Sequence, residues 1–198
     1  MFPRSRAGMA VAWLLLAPWG LAAAAGPPAA TRSPTAGPHP AAPEETAQFG
    51  FLIGEKRCTT RNMQPDGTYA DAGEAEWNGR YILDGWAIED EWIKTLPDGT
   101  VFRGINIRSF NPETRKWDNR WLATGSLQWK YFEAEQVGDT MVMIGGEGED
   151  FRGPFVDRNT FSEIREGGFD WRKDRSWDGG ESWIEGVARI ECRSPTAG

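Results

Sequence analysis

The chain has 198 residues, a formal net charge of −7, and 11 Trp, 24 Gly and 13 Pro against two Cys and one His. Its length accommodates one domain of ordinary size behind a leader. The acidic balance excludes the clustered Lys and Arg of a nucleic-acid footprint, and the scarcity of Cys and His excludes a zinc cluster.

Residues 1–25 read as a secretory signal peptide. Arg4 and Arg6 form a short positive n-region, Ala10 to Leu21 an apolar h-region, and Ala22 to Ala25 the small residues of a cleavage site. Pro18 and Gly20 break the apolar run, which is short for a bilayer span, and no Cys follows it to carry a lipid. A periplasmic or secreted protein is expected, with no stable membrane insertion after cleavage. Gly26 to Pro43 is rich in Pro, Ala and Thr, so a disordered spacer is expected over residues 26–46. His39 lies in it and reads as a solvated linker side chain, because a catalytic or ligating group needs fixed geometry.

Glu44 to Phe51 can form a short helix with Glu44 and Glu45 in its first turn. Phe49 and Leu52 would then plug one end of a barrel. Turn residues punctuate the remainder of the chain: Pro65-Asp66-Gly67-Thr68, the same tetrad at Pro97 to Thr100, Asn111-Pro112-Glu113-Thr114, and Gly-containing breaks at 125, 138, 145–146, 153 and 167–168. The segments between them predict about ten strands, near 54–62, 70–80, 81–94, 100–110, 115–124, 127–137, 140–145, 154–165, 168–176 and 182–192. The link between the second and third is ambiguous, since Asn78-Gly79 and Asp84-Gly85 both have turn chemistry. The last two segments form a hairpin around Asp178-Gly179-Gly180. On its outgoing strand Ile184, Gly186, Ala188, Ile190 and Cys192 share one face. The expected fold is all-β: one antiparallel barrel over residues 47–193, closed by its first and last strands, with a tail at 194–198.

Four stretches carry a family resemblance. Phe49 to Cys58 (F-G-F-L-I-G-E-K-R-C), Tyr81 to Trp92, Arg108 to Trp117 and Ser176 to Trp183 resemble landmarks of the calycin-like, or lipocalin-like, β-barrel proteins of bacteria, a family mostly without an assigned function. The resemblance spans residues 48–193 and implies the fold more than the function. Where that family has Trp in its opening Gly-x-Trp motif, this chain has Lys56, which implies a more polar or more open barrel end, or a buried ion pair. The same resemblance raises His-ligated haem, as in nitrobindin-like barrels. No His follows residue 40, so that ligation has no ligand here, and no cofactor or metal is expected. Ser176-x-Asp178-x-Gly180-x-x-Trp183 also matches the Asp-box of sialidase-type propellers. It occurs once, so it reads as hairpin architecture rather than as a sialidase signal.

The cysteines take their meaning from the barrel. Cys58 sits in the first strand and Cys192 in the last, and an exported chain meets an oxidising compartment, so a Cys58–Cys192 disulfide across the closing seam is expected. The tryptophans of the domain either pack a core or line a cavity for a flat or apolar ligand. Alternation mixes the faces: Trp117, Asn119 and Trp121 against Asp118, Arg120 and Leu122; Phe102, Asn106 and Arg108 against Arg103, Ile105 and Ile107. That pattern predicts a partly polar lumen with some Arg and Glu inside. Trp77, Trp92, Trp121, Trp129 and Trp171 are the candidate aromatic wall, and Arg103, Arg108 and Arg120 the candidate forks for a carboxylate. The plainer assignment for these Arg is surface pairing with Glu89, Glu91 and Asp118. Gly145 to Asp150 (G-G-E-G-E-D) reads as a mobile acidic loop, without the ligand spacing of a calcium site. The best-supported activity is binding a small, partly apolar and possibly acidic molecule. Cyclase or isomerase chemistry on a lumen carboxylate or Tyr, and a packed interaction domain without ligand, are the alternatives. Oligomeric state is not encoded in any feature of the sequence.

Overall fold

Two Pro-Asp-Gly-Thr tetrads close hairpins by the same chemistry. Asp66 Oδ1 accepts from the Thr68 N–H and Asp98 Oδ1 from the Thr100 N–H, both at 2.9 Å, while Gly67 and Gly99 take φ of 83° and 82°. Between such turns the computed structural model, which describes residues 36–126 and 128–195, runs in ten strands. They are β1 (Gly54–Met63), β2 (Tyr69–Ile82), β3 (Ala87–Thr95), β4 (Val101–Asn111), β5 (Lys116–Ala123), β6 (Lys130–Val137), β7 (Thr140–Asp150), β8 (Gly153–Arg165), β9 (Gly168–Ser176) and β10 (Ile184–Arg193). Each pairs antiparallel with its successor, and β1 pairs with β10, so the sheet closes as the sequence predicts. All the described residues fall in one compact unit. The predicted leader and the first part of the spacer lie outside the described residues.

The closing seam is covalent. Cys58 and Cys192 are register partners across β1 and β10 and form a disulfide, with both side chains buried. One barrel end is filled from the N-terminal side. Two short 3₁₀ turns, Glu44–Ala47 and Gly50–Leu52, replace the expected single helix and drop Phe49 and Leu52 to zero exposure inside the wall. Phe49 meets Trp117 edge-on at 4.9 Å, and Phe51 meets Phe169 at 5.3 Å. The expected interior Lys56 is buried as well. Its Nζ donates to the Ile53 carbonyl at 2.8 Å, with no carboxylate partner among the described residues, and burial pushes its pKa down.

Four expectations need correction. The spacer is not free up to residue 46: the His39 N–H donates to the Gly85 carbonyl at 3.0 Å, its ring stacks on Trp86 at 5.0 Å, and Thr46 is buried. His39 is therefore a docked side chain, not a solvated one. The second and third strands divide at Leu83–Gly85, not before Tyr81. Asn78-Gly79 continues β2, because Gly79 lets the Leu52 carbonyl of the plug approach to where a Cβ would lie 2.2 Å away. The Gly145–Asp150 segment is not a loop but the second half of β7, bent by a bulge between Gly145 and Gly148. The Phe132 ring occupies the Cβ position of Gly146, 2.3 Å from it, so the glycines serve packing rather than mobility. Lastly, a bulge between Ile184 and Ala188 interrupts the ladder of β10, and Ile184, in register with Arg175, is exposed rather than buried.

Candidate functional site

Strand alternation sends one side chain in two into the lumen. The plug and the rings around it fill the half nearest the starts of β1, β3 and β5. The other half holds a cavity of about 380 Å³. Its lining comes from every strand except β7. Trp77 on β2, Trp92 on β3, Trp121 on β5 and Trp171 on β9 form the aromatic wall, with Phe102, Phe132, Phe161 and Ile190. Trp77 and Trp92 meet edge-on at 5.3 Å. Trp121 lies across β4 because Gly104 has no Cβ; one built there would stand 2.0 Å from the indole.

Below the wall sits a buried polar network. Asp90 is fully buried and accepts from Trp77 Nε1 at 2.7 Å, Asn106 Nδ2 at 3.0 Å, and Arg108 Nε and Nη2 at 2.5 and 3.2 Å. Arg108 also donates to Asn119 Oδ1 at 2.9 Å, and its guanidinium lies 4.6 Å from the Phe49 ring centroid. Two opposite charges in a dry site hold each other only when the remaining donors and acceptors are met, and here they are.

The upper lumen is cationic. Lys94 is the penultimate residue of β3, Lys130 the first of β6, and Lys173 and Arg175 stand on β9; all four line the cavity. Asp157 is the carboxylate among them. Arg175 grips it with Nε at 2.7 Å and Nη2 at 3.1 Å, while Lys173 Nζ stands 3.6 Å away. Arg175 lies 3.5 Å above the Phe155 ring and also reaches Asp150. Burial pushes the ammonium pKa of Lys173 down against the pull of Asp157, with Arg175 and Lys130 adding repulsion. Burial likewise lowers Lys94, whose Nζ donates to Thr60 Oγ1 at 2.9 Å. Asn159, next along β8, is buried on the cavity wall, and its Oδ1 has no hydrogen-bond partner among the described residues.

The candidate residues therefore divide. Trp77, Trp92, Trp121, Trp171 and Arg108 converge on the cavity. Arg103 points outward and pairs with Glu91 at 2.8 Å; Arg120, also outward, lies 4.6 Å over the Tyr131 ring; Trp129 sits half-exposed in the β5–β6 connection. The lumen acids are Asp90 and Asp157 rather than Glu. Lys94, Lys130, Lys173, Arg175 and Asn159 were not singled out by sequence. Counting by two from Trp92, Phe132 and Trp171 reaches the three lysines, so the signal lay in the alternation. A second depression of about 490 Å³ lies at the plugged end among Gln48, Gln136, Asp139 and Glu163. No aromatic side chain lines it, which makes the lumen the stronger candidate.

The expected Asp-box is a turn brace. Ser176 Oγ donates to Asp178 Oδ1 at 2.6 Å, the Ser182 N–H donates to the same oxygen at 2.9 Å, and the Gly180 N–H donates to Ser176 Oγ at 2.8 Å. A search of protein-family models and a search of curated proteins each find no match to this chain.

Proposed function

We propose that the protein is an exported, calycin-like barrel that binds a small, partly apolar molecule in its Trp-lined lumen. The observation that carries this reading is the unfilled half of the barrel. Four Trp side chains line about 380 Å³ of space that they leave open. Cavities of this size, mostly apolar with a few convergent polar groups, suit one small ligand. Burial of a planar body against indole faces supplies affinity, and the polar groups orient it. Both lumen carboxylates are clamped by Arg, Asp90 by Arg108 and Asp157 by Arg175, so neither stands as a free general base. This favours binding over catalysis on a carboxylate. Export is supported by the Cys58–Cys192 disulfide, which suits an oxidising compartment.

Native mass spectrometry of the unreduced protein, recovered from the periplasm or medium, tests both parts. The expected result is a mass that lacks residues 1–25 and carries extra mass lost on denaturation. An apo mass across growth conditions and chromatographic routes would overturn the carrier reading. Retention in the cytoplasm with the leader intact would overturn export.

A further inference from the structure

We propose, building on the lumen as the ligand site, that the ligand is an amphipathic organic acid. Its acid group is held at the open mouth by Lys94, Lys130 and Lys173, and its apolar body runs down the Trp wall toward Trp77.

Barrel order explains the convergence. β3, β6 and β9 stand three, three and four strands apart around the ring, so their lysines reach the lumen from three sides. Among the described residues, none of the three donates a hydrogen bond to a carboxylate, although the field of Asp71 reaches Lys94. Lys94 Nζ donates to the Thr60 hydroxyl at 2.9 Å, and Lys130 Nζ to the Gly146 carbonyl at 3.1 Å. Lys173 stands 5.7 Å from the Trp171 ring centroid and 3.6 Å from Asp157 Oδ2, a group already taken bidentately by Arg175. An ammonium has three donors, so each lysine keeps donors for a further partner. The deeper cation cannot serve: Arg108 is closed off by Asp90 and Asn119. The lumen thus carries an excess of positive charge in a chain whose net charge is −7, an asymmetry that composition alone does not produce. Low-dielectric walls concentrate such a field on whatever enters.

A second observation points the same way. Asn159 lies on the wall between Asp157 and Phe161, and its buried carbonyl oxygen is unpaired among the described residues. An unpaired buried acceptor is costly. A ligand N–H or O–H a short way along from the acid group would satisfy it. The class is therefore a carboxylate, sulfonate or phosphate ester with an apolar or aromatic body that carries a hydrogen-bond donor.

Two fluorescent probes isolate the claim. 1-Anilinonaphthalene-8-sulfonate and N-phenyl-1-naphthylamine share ring system and N–H and differ by the acid group. The full-length mature protein is expected to bind the sulfonate at least about tenfold more tightly than the neutral amine, since a single charge-assisted hydrogen bond is already worth about tenfold. In the triple variant Lys94→Met, Lys130→Met, Lys173→Met that preference vanishes while neutral-amine binding persists, which also reports a folded lumen. Asn159→Leu weakens both probes alike. Equal affinity for the two probes in the parent, or a preference surviving in the triple variant, overturns the acid assignment and leaves the lumen site standing. Failure of both probes to bind the parent overturns the lumen site itself.

Discussion

Asp90 and Arg108 show how one residue's facing decides its role. Arg103, Arg108 and Arg120 look alike in sequence, each among aromatic and polar neighbours. Only Arg108 shares a face with Asn106 and Phe102 and so reaches the lumen. There it meets a carboxylate as foreseen, but an internal one. Removing one member of a buried ion pair strands the other charge, at a cost of about 3–5 kcal/mol. Arg108→Met is therefore expected to lose that much in urea unfolding, and Asp90→Asn somewhat less, since the amide still accepts from Trp77. The double variant is expected to cost less than the two added together. Strict additivity would show that the pair is not coupled. The sequence could place Arg108 on a face; it could not say which face was inside, because both faces of β4 and β5 mix apolar and polar residues. The lumen lysines were missed for a related reason. Lys on a strand is usually solvated, and only closure of the ring shows that Lys94, Lys130 and Lys173 meet.

At the level of the element, turn chemistry was the most legible feature and bulges the least. Asp66, Asp98 and Asn111 each accept from the backbone two residues on, the local pattern that favours them in turns. Bulges answer to long-range packing instead. Gly146 in β7 accommodates Phe132, 14 positions away by the numbering, and no local rule foresees it. The β9–β10 turn offers a test with a sign. The Ser176 hydroxyl first, then the Ser182 hydroxyl and N–H, hold the Asp178 carboxyl well below the usual carboxylate range. A group whose folded pKa is depressed stabilises the fold above its unfolded pKa, near 4, and loses that contribution as pH falls below it. Asp178→Asn is expected to lower Tm at pH 7, and the gap to the parent to narrow steadily below about pH 4. A gap independent of pH would assign the effect to the turn's shape rather than to the ionised carboxylate.

The whole molecule is organised by closure. Ten strands in sequential order leave β1 and β10 as neighbours only if the sheet curls fully, and the two cysteines sit in register at that join. This much was readable from the positions of Cys58 and Cys192 near the ends of one predicted all-β domain. The disulfide links residues 134 apart, so its main effect falls on the unfolded chain. Loop-closure entropy for a ring of that size gives about 5 kcal/mol, an upper figure. The native seam does not depend on it, since six residue pairs join β1 to β10 through the backbone ladder. Cys58→Ala with Cys192→Ala is therefore expected to lower the urea midpoint sharply while leaving the circular dichroism and probe binding of the folded state unchanged. Because both sulfurs are buried, reductant reaches them only when the seam opens. Thiol release from the parent should thus accelerate with urea and stay slow in its absence. Rapid release without denaturant would mean that β1 and β10 part in the native state, and that the lumen is reached through the seam as well as through its mouth.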